Sequence, residues 1–221
     1  MADVWTKDQD LKFYGVKIGA RMTAVRLDEN VFVHSPIKLT DDLASDLQAT
    51  GRVRWAVAPN KMHHLYIADF KKRFPEAAVF CAPELDKKRS DFKFDGVISN
   101  EQSFPWNPHL HHVFIEGAPF YNEVVFYHPK TKSLIVSDLA TNFQHSDSAM
   151  TKFFLTLLGS YRHFGWTKTE KRLFIKDKTA FYRSLDKVLS FDFDRVILAH
   201  GEIVETGGKA MMTQVFGRSG S

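Results

Sequence analysis

Residues 55–65 read WAVAPNKMHHL, and this stretch decides the fold prediction. Its apolar start, residues 55–58, predicts a buried strand, and the Pro-Asn-Lys sequence after it predicts a turn. The adjacent His63 and His64 follow at the C-terminal end of that strand, where α/β enzymes commonly present catalytic groups. The stretch therefore indicates an α/β fold with a functional site at one edge of a sheet.

Two later apolar runs end in the same way. Residues 134–137 lead into Asp138, and residues 196–199 lead into His200. Imidazole nitrogen and carboxylate oxygen are ligands that zinc prefers in proteins. Since three predicted strands each deliver such a ligand at the C-terminal end, a metal site is the leading hypothesis.

Hydrophobic periodicity and turn residues predict the other elements. The predicted strands are residues 22–27, 31–33, 53–58, 78–81, 112–116, 124–127, 133–137 and 196–199. The predicted helices are residues 41–48, 65–74, 150–158, 178–189 and 210–216, with a short one from residue 83. Hairpins and strand–helix units occur in two similar halves, residues 1–100 and 101–216. They predict one domain, residues 1–216, with an α/β fold: an αββα sandwich of two mixed sheets covered by helices. Residues 217–221 are expected to be a flexible tail.

Composition narrows the function classes. The net charge is +4, and Lys and Arg are scattered along the chain, which does not indicate a nucleic-acid partner. No apolar run of about 18 residues occurs, so we expect no membrane span and no membrane partner. The single cysteine, Cys81, lies in an apolar strand and is expected to be a core residue in a cytoplasmic protein. A small-molecule substrate is the expected partner, and the oligomeric state is not predicted.

The order of these elements resembles the metallo-β-lactamase fold superfamily. The hairpin that leads into Asp138, and the strand that ends at His200, match two ligand elements of that superfamily. Three phrases are similar to an uncharacterised branch of it, a domain of unknown function: VHSPI at 33–37, APNKMHHL at 58–65 and EVVF at 123–126. The resemblance implies a metal-dependent hydrolase fold over nearly the whole chain.

The resemblance also implies that half of the usual metal site is missing. Aligned on its last residue, the H-x-H-x-D-H motif of the superfamily falls on Pro59, Lys61, His63 and His64, so its first two histidines are absent. The Gly-His-Thr loop falls on residues 117–119, which contain no histidine. One metal remains, with four implied ligands: His63, His64, Asp138 and His200. Zinc is the expected metal, iron and manganese are alternatives, and a metal-free site is the remaining option.

Further roles follow from the same resemblance. Lys61 stands where the charge of the lost metal would have been and is expected to orient an anionic substrate. Glu123 is expected to add a carboxylate ligand or to act as a base, and Asp138 joins them as a catalytic residue. Substrate contacts are expected from four residues: His34, Ser35, Asn60 and Trp106.

The predicted function is a single-metal hydrolase of a small ester, amide, thioester or phosphoester, with metal-bound water as the nucleophile. Two alternatives keep the fold: an iron-dependent redox protein, and a metal-free protein that binds a ligand. In the metal-free alternative the histidines form ordinary hydrogen bonds, Lys61 pairs with Asp138, and no metal is retained. The histidine-rich residues 109–112 are interpreted as a surface segment.

Overall fold

The computed structural model describes residues 2–13 and 15–217, and the predicted tail residues 218–221 lie outside them. The strands are β1 (Val4–Gln9), β2 (Lys12–Phe13), β3 (Val16–Lys17), β4 (Ala20–Leu27), β5 (Asn30–His34), β6 (Arg52–Ala58), β7 (Ala78–Cys81), β8 (Gly96–Val97), β9 (His111–Phe114), β10 (Val124–His128), β11 (Ser133–Val136) and β12 (Arg195–Leu198). The helices are α1 (Asp41–Thr50), α2 (Ile67–Arg73), α3 (Leu85–Lys88), α4 (Ala149–Leu157), α5 (Lys168–Phe174), α6 (Lys178–Ser190) and α7 (Gly208–Phe216), and a 3₁₀ turn covers Pro129–Thr131.

Two mixed sheets form the centre of the fold. Six strands from residues 4–97 make the first sheet, in the order β1-β4-β5-β6-β7-β8. Four strands from residues 111–198 make the second sheet, in the order β12-β11-β10-β9. Strands β5 to β8 are parallel, as are β11 and β12, so several carboxyl ends meet at the same edge of each sheet.

Three apolar clusters show how the layers pack. The cluster between the sheets joins Phe32 and Val57 of the first sheet to Phe126 and Ile135 of the second. A second cluster lies between the first sheet and α1 to α3, and a third between the second sheet and α6 and α7. The helices therefore cover the outer faces of two packed sheets. The predicted αββα sandwich is confirmed.

Local sequence signals explain several boundaries. Helix α1 begins where the Thr40 side chain accepts a hydrogen bond from the Leu43 N–H, as threonine commonly does at the start of a helix. Cys81 is buried in β7, as predicted. Helix α2 begins two residues later than predicted, and Leu65, the first residue of the predicted helix, is 60% exposed. No helix among the described residues has the length and apolar character needed to cross a bilayer.

Candidate metal centre

The strand register places two of the predicted ligands at equivalent positions after neighbouring strands. Parallel pairing aligns Val136 of β11 with Leu198 of β12. Asp138 and His200 each stand two residues beyond these paired positions. Because the carboxyl ends of both strands meet at the same edge, the two side chains emerge together.

The turn after β6 brings His63 to them from the other sheet. The Asn60 side-chain oxygen accepts hydrogen bonds from the backbone N–H groups of Met62 and His63, at 2.8 and 2.9 Å. This local turn directs the His63 ring towards the second sheet. Ser35, at the end of β5, forms a 2.7 Å hydrogen bond between its Oγ and His63 Nδ1. Ser35 holds an unusual φ of 53°, so its neighbours maintain a conformation that a serine seldom adopts.

The three side chains form a compact group of ligand atoms. His63 Nε2 lies 3.2 Å from His200 Nε2, and the Asp138 carboxylate oxygens lie 3.4 Å from His63 Nε2 and 3.5 Å from His200 Nε2. Around an ion with ligand bonds of about 2.1 Å, the edge of a tetrahedron is about 3.4 Å. The distances to Asp138 involve its two different oxygens, and one ligand atom of each residue lies within 4.8 Å of the others, so the three residues could hold one ion.

Hydrogen bonds orient both imidazoles for ligation. His200 Nδ1 lies 2.9 Å from the carbonyl oxygen of Gly19, and since a carbonyl only accepts, Nδ1 carries the hydrogen. When His200 is neutral, its Nε2 lone pair therefore faces His63 Nε2, an arrangement that a cation near the two atoms stabilises. Such a second hydrogen bond is the usual way in which a protein fixes the tautomer of a metal-binding histidine.

The charge state of the group also suits a cation. Burial alone would raise the pKa of Asp138, but the interactions of its carboxylate with His63 and His200 outweigh burial and lower the pKa below its usual range. The carboxylate is therefore ionised. The same carboxylate raises the pKa of His200, against the opposing effect of burial.

Glu123 lies behind this group and fixes the turn that carries Asp138. Its carboxylate accepts hydrogen bonds from the backbone N–H groups of Ser137, Asp138 and Leu139, at 2.7, 2.7 and 2.9 Å. The Asn60 amide bridges the two acids, donating to Glu123 at 3.1 Å and to Asp138 at 2.7 Å. Burial and the nearby Asp138 charge raise the pKa of Glu123, and the four N–H donors limit that rise.

These contacts correct two predicted roles. Glu123 is 3% exposed with both oxygens engaged, so it is neither a ligand nor a base in this structure. Asn60 is fully buried and is not a substrate contact. Both are positioning residues for Asp138 and His63.

Arg21 supports the loop that carries His200, a role that was not predicted from the sequence. One of its nitrogens, Nη1, donates to the carbonyl oxygens of Leu198 and Gly201, at 2.8 and 2.9 Å, and so clamps both sides of His200. Its other nitrogens form a bidentate pair with Asp8. Gly201 has a φ of 83°, and a Cβ there would lie 2.2 Å from the Asn142 carbonyl oxygen. The only sequence signal for this clamp is an arginine at a position flanked by the apolar residues of β4.

Replacement of Arg21 by methionine should loosen the His200 loop. Two buried carbonyl oxygens lose their donor, which costs about 1–3 kcal/mol of unfolding free energy. We also expect metal affinity to fall about 10-fold, as for other residues that orient a ligand. Chemical denaturation and metal titration measure the two effects.

Arg26→Met is the matched control, since Arg26 lies on the same strand and pairs with Asp3 away from His200. Metal affinity equally reduced in both variants would contradict a specific role of Arg21.

A mostly apolar cleft of about 550 Å³ opens over the three ligands. Its walls include Ile18, Ile37, Phe120, Phe143 and Phe174, and it reaches Ser35, His63, Asp138 and His200. Lys88 brings a cation to the cleft, and the sequence analysis did not single it out. The cleft can therefore accept a small apolar molecule next to the ligand group.

His64 and Lys61 are not brought into the group of ligand atoms. His64 lines the cleft, but its Nδ1 accepts a hydrogen bond from Arg89 at 3.0 Å. Burial, then the charges of Lys88 and Arg89, lower the pKa of His64 to about 4. Lys61 donates to Glu84 at 3.1 Å and to the Pro119 carbonyl at 2.8 Å, so the predicted pairing with Asp138 does not form. The predicted four-ligand set is thus reduced to His63, Asp138 and His200.

Two predicted substrate contacts lie outside the cleft walls. Trp106 is fully buried between the sheets, 5.2 Å from the ring of Phe32, because a large apolar side chain gains most by core packing. His34 is 1% exposed and lies edge-on against Phe126. Of the predicted substrate contacts, only Ser35 reaches the cleft.

The histidine-rich segment has structural contacts instead of a metal site. His109 pairs with Asp28, His112 contacts the Ser99 carbonyl, and His111 stacks beside Tyr127. Among the residues that the structure describes, the only such group of three ligands is the one at His63, Asp138 and His200.

Comparison with solved structures supports the fold. The metallo-β-lactamase from Pontibacter korlensis is 14% identical at a TM-score of 0.66, and the match covers 99% of this chain and 97% of that one. The metallo-β-lactamase from Erythrobacter litoralis is 13% identical at 0.63, over 97% of this chain and 92% of that one. The flavodiiron protein from Giardia intestinalis is 13% identical at 0.65, over 98% of this chain and 57% of that one.

Sequence comparison gives the family. No curated protein matches the chain. A family model described as a domain of unknown function, DUF4336, matches residues 2–163, which is most of the sequence. With the αββα sandwich, this match leads to one conclusion: the chain belongs to the DUF4336 family and has the metallo-β-lactamase fold.

Proposed function

We propose that the protein binds one divalent metal, zinc, through His63, Asp138 and His200, and hydrolyses a small, largely apolar ester, amide, thioester or phosphoester. The observation that carries the proposal is the position of the three ligand atoms, which converge at the base of an apolar cleft. Their spacing, and the hydrogen bond that keeps a proton on His200 Nδ1 and so on the side away from the group, support the proposal.

A bound zinc ion would polarise a carbonyl or phosphoryl oxygen and lower the pKa of water. Three protein ligands leave a tetrahedral position open, which is the pattern of catalytic zinc sites. Other residues of the chain would exclude water, supply a cation and hold a metal ligand in place. Phe120, Phe143 and Phe174 exclude water around the substrate, and Lys88 offers a cation to an anionic group of it. Asn60 and Glu123 hold Asp138 in place, so little reorganisation is needed.

A second candidate is a metal-free protein that binds an apolar ligand in the same cleft. One observation favours it: Asp138 already lies within ion-pair distance of both histidines, which balances its charge without a metal. An iron-dependent redox protein is supported only by the fold that the chain shares with the flavodiiron protein. The metal analysis described next would reveal it.

Elemental analysis of protein purified without chelators or a metal-affinity column is the deciding experiment. We expect about one equivalent of zinc. We also expect hydrolysis of short-chain ester, thioester and phosphoester probes that a chelator abolishes and added zinc restores. One equivalent of iron with an optical absorption band would favour the redox protein. No retained metal after incubation with zinc, iron or manganese would overturn the proposal and leave the metal-free protein.

A further inference from the structure

The apolar side of α4 faces solvent. Its large apolar residues follow the spacing i, i+3, i+4, i+7 and are 53%, 66%, 39% and 72% exposed: Met150, Phe153, Phe154 and Leu157. In surface helices of globular proteins a stripe with this spacing normally packs against the core. Here the buried side of the helix carries Thr151 and Leu155 instead. We call the four exposed residues the α4 stripe.

Both ends of α4 are tied to the cleft. Near its start, the Thr151 hydroxyl accepts a 3.1 Å hydrogen bond from the backbone N–H of Lys17, and the next residue, Ile18, lines the cleft. Near its end, the Leu155 carbonyl accepts from the backbone N–H of Tyr161, which pairs with the cleft residue Phe143. Helix α4 therefore lies beside the cleft, with the α4 stripe on its exposed side.

The mouth of the cleft carries exposed apolar residues of its own. Leu65 is 60% exposed and Phe120 is 51% exposed, and both line the cleft. Phe120 stacks on Phe174 with ring centroids 4.9 Å apart, so its exposed ring is held in place. Clustered exposed apolar side chains are typical of interaction sites on protein surfaces.

The chain segment that contains α4 and α5 is basic. Residues 146–178 contain seven Lys and Arg against three Asp and Glu, a net charge of +4 that equals the net charge of the whole chain. Lys152 lies on α4 itself, and Lys168 and Arg172 lie on α5. All three are exposed. Lysine and arginine beside exposed Phe, Leu and Met are typical of helices that lie in a membrane interface.

We propose that the α4 stripe and the mouth of the cleft dock on a lipid surface that contains anionic lipids. The apolar side chains enter the boundary between headgroups and acyl chains, and the surrounding Lys and Arg contact anionic headgroups. This docking revises the expectation of no membrane partner, which rested on the absence of a spanning segment.

A second copy of the chain is the competing occupant, and charge disfavours it. A symmetric dimer places the same patch of both copies face to face. The basic residues around the α4 stripe would then oppose their own copies, and like charges at such contacts are unfavourable. An anionic lipid surface instead neutralises them.

Docking also defines the substrate class, and this step rests on the proposed function. A cleft with apolar walls that opens beside the docked surface receives an amphiphile directly from the lipid phase. The substrate is then an ester, thioester or phosphoester that carries an acyl chain, with Lys88 near any anionic group.

Co-sedimentation with vesicles tests the docking separately from hydrolysis. Chelator-treated protein is mixed with vesicles of phosphatidylcholine alone, or with about one third phosphatidylserine. We expect binding to the anionic vesicles that weakens with salt and falls at least 10-fold in Phe153→Ser/Leu157→Ser, as well as in Lys152→Glu/Lys168→Glu. Val97→Ser, which removes an exposed apolar residue of β8, should bind as the unmodified chain does.

Thermal unfolding of each variant confirms that it folds, since the substituted side chains are exposed. Two results would overturn the proposal: no sedimentation with anionic vesicles at low salt, or equal sedimentation of both double variants and the unmodified chain. A dimer in light scattering that Phe153→Ser/Leu157→Ser converts to a monomer would assign the surface to a second copy instead. Because the protein is metal-free in this assay, a missing metal or missing hydrolysis leaves its outcome unchanged.

Discussion

His63→Ala is expected to weaken metal binding by more than about 100-fold. Loss of a residue that only orients a ligand typically costs about 10–100-fold, and His63 is itself a ligand in the proposed site. Its Nε2 lies within 3.4 Å of both other ligand residues. Elemental analysis after dialysis, and competition with a chromophoric chelator, measure the loss.

The neighbouring histidine is the matched control. His64→Gln leaves a hydrogen-bond acceptor near Arg89 and removes an imidazole that does not belong to the ligand group. We expect metal content close to one equivalent in this variant. If His64→Gln lost the metal and His63→Ala kept it, the ligand assignment would be reversed.

Glu123→Gln is expected to lower the free energy of unfolding by about 2–4 kcal/mol, although it changes a single atom. All groups around the carboxylate are N–H donors. An amide must turn its own N–H₂ towards one of them, which leaves two donors facing each other in a buried site. Urea denaturation at neutral pH measures the change.

Metal affinity should fall in the same variant, because the turn that carries Asp138 loses its anchor. Glu116→Gln is the control: Glu116 is a partly exposed partner of Arg183, and pairs of this kind contribute at most about 1 kcal/mol. Equal stability loss in the two variants would show that the buried carboxylate of Glu123 has no special role.

The sequence was informative about the edge of the sheets because the relevant signals are local. Apolar runs that end at Asp138 and His200 predicted two strands with ligands at their ends, and parallel pairing brings these ligands together. The fold follows from the same hydrophobic pattern, read together with the family resemblance.

The choice between His63 and His64 was not predictable in this way. It depends on the Asn60 side chain, whose oxygen accepts a hydrogen bond from the backbone N–H of His63. The amide nitrogen of Asn60 donates to Glu123 and Asp138, which lie 63 and 78 residues away in the sequence. The position of Lys61 likewise depends on Glu84, which comes from another turn. No local pattern encodes contacts between such distant residues.

The burial of a side chain, which the sequence does not state directly, also explains why some predicted roles differ from the observed ones. Glu123 and Trp106 belong to residue types that serve catalysis or binding when they are exposed. In the folded chain both side chains are buried, so neither contacts a substrate. Strands β1, β2, β3 and β8 and helix α5 went unpredicted because their apolar patterns are too brief to stand out.

The ligand group draws its members from both sheets, with His63 after β6 and Asp138 and His200 after β11 and β12. A bound ion would act as a cross-link that only the assembled sandwich can hold. By mass action, ligand at about 100 times its dissociation constant adds about 2.7 kcal/mol to the stability of the state that binds it. The metal supply of the surrounding medium would then set how often the two halves separate, and with it the lifetime of the protein against proteases.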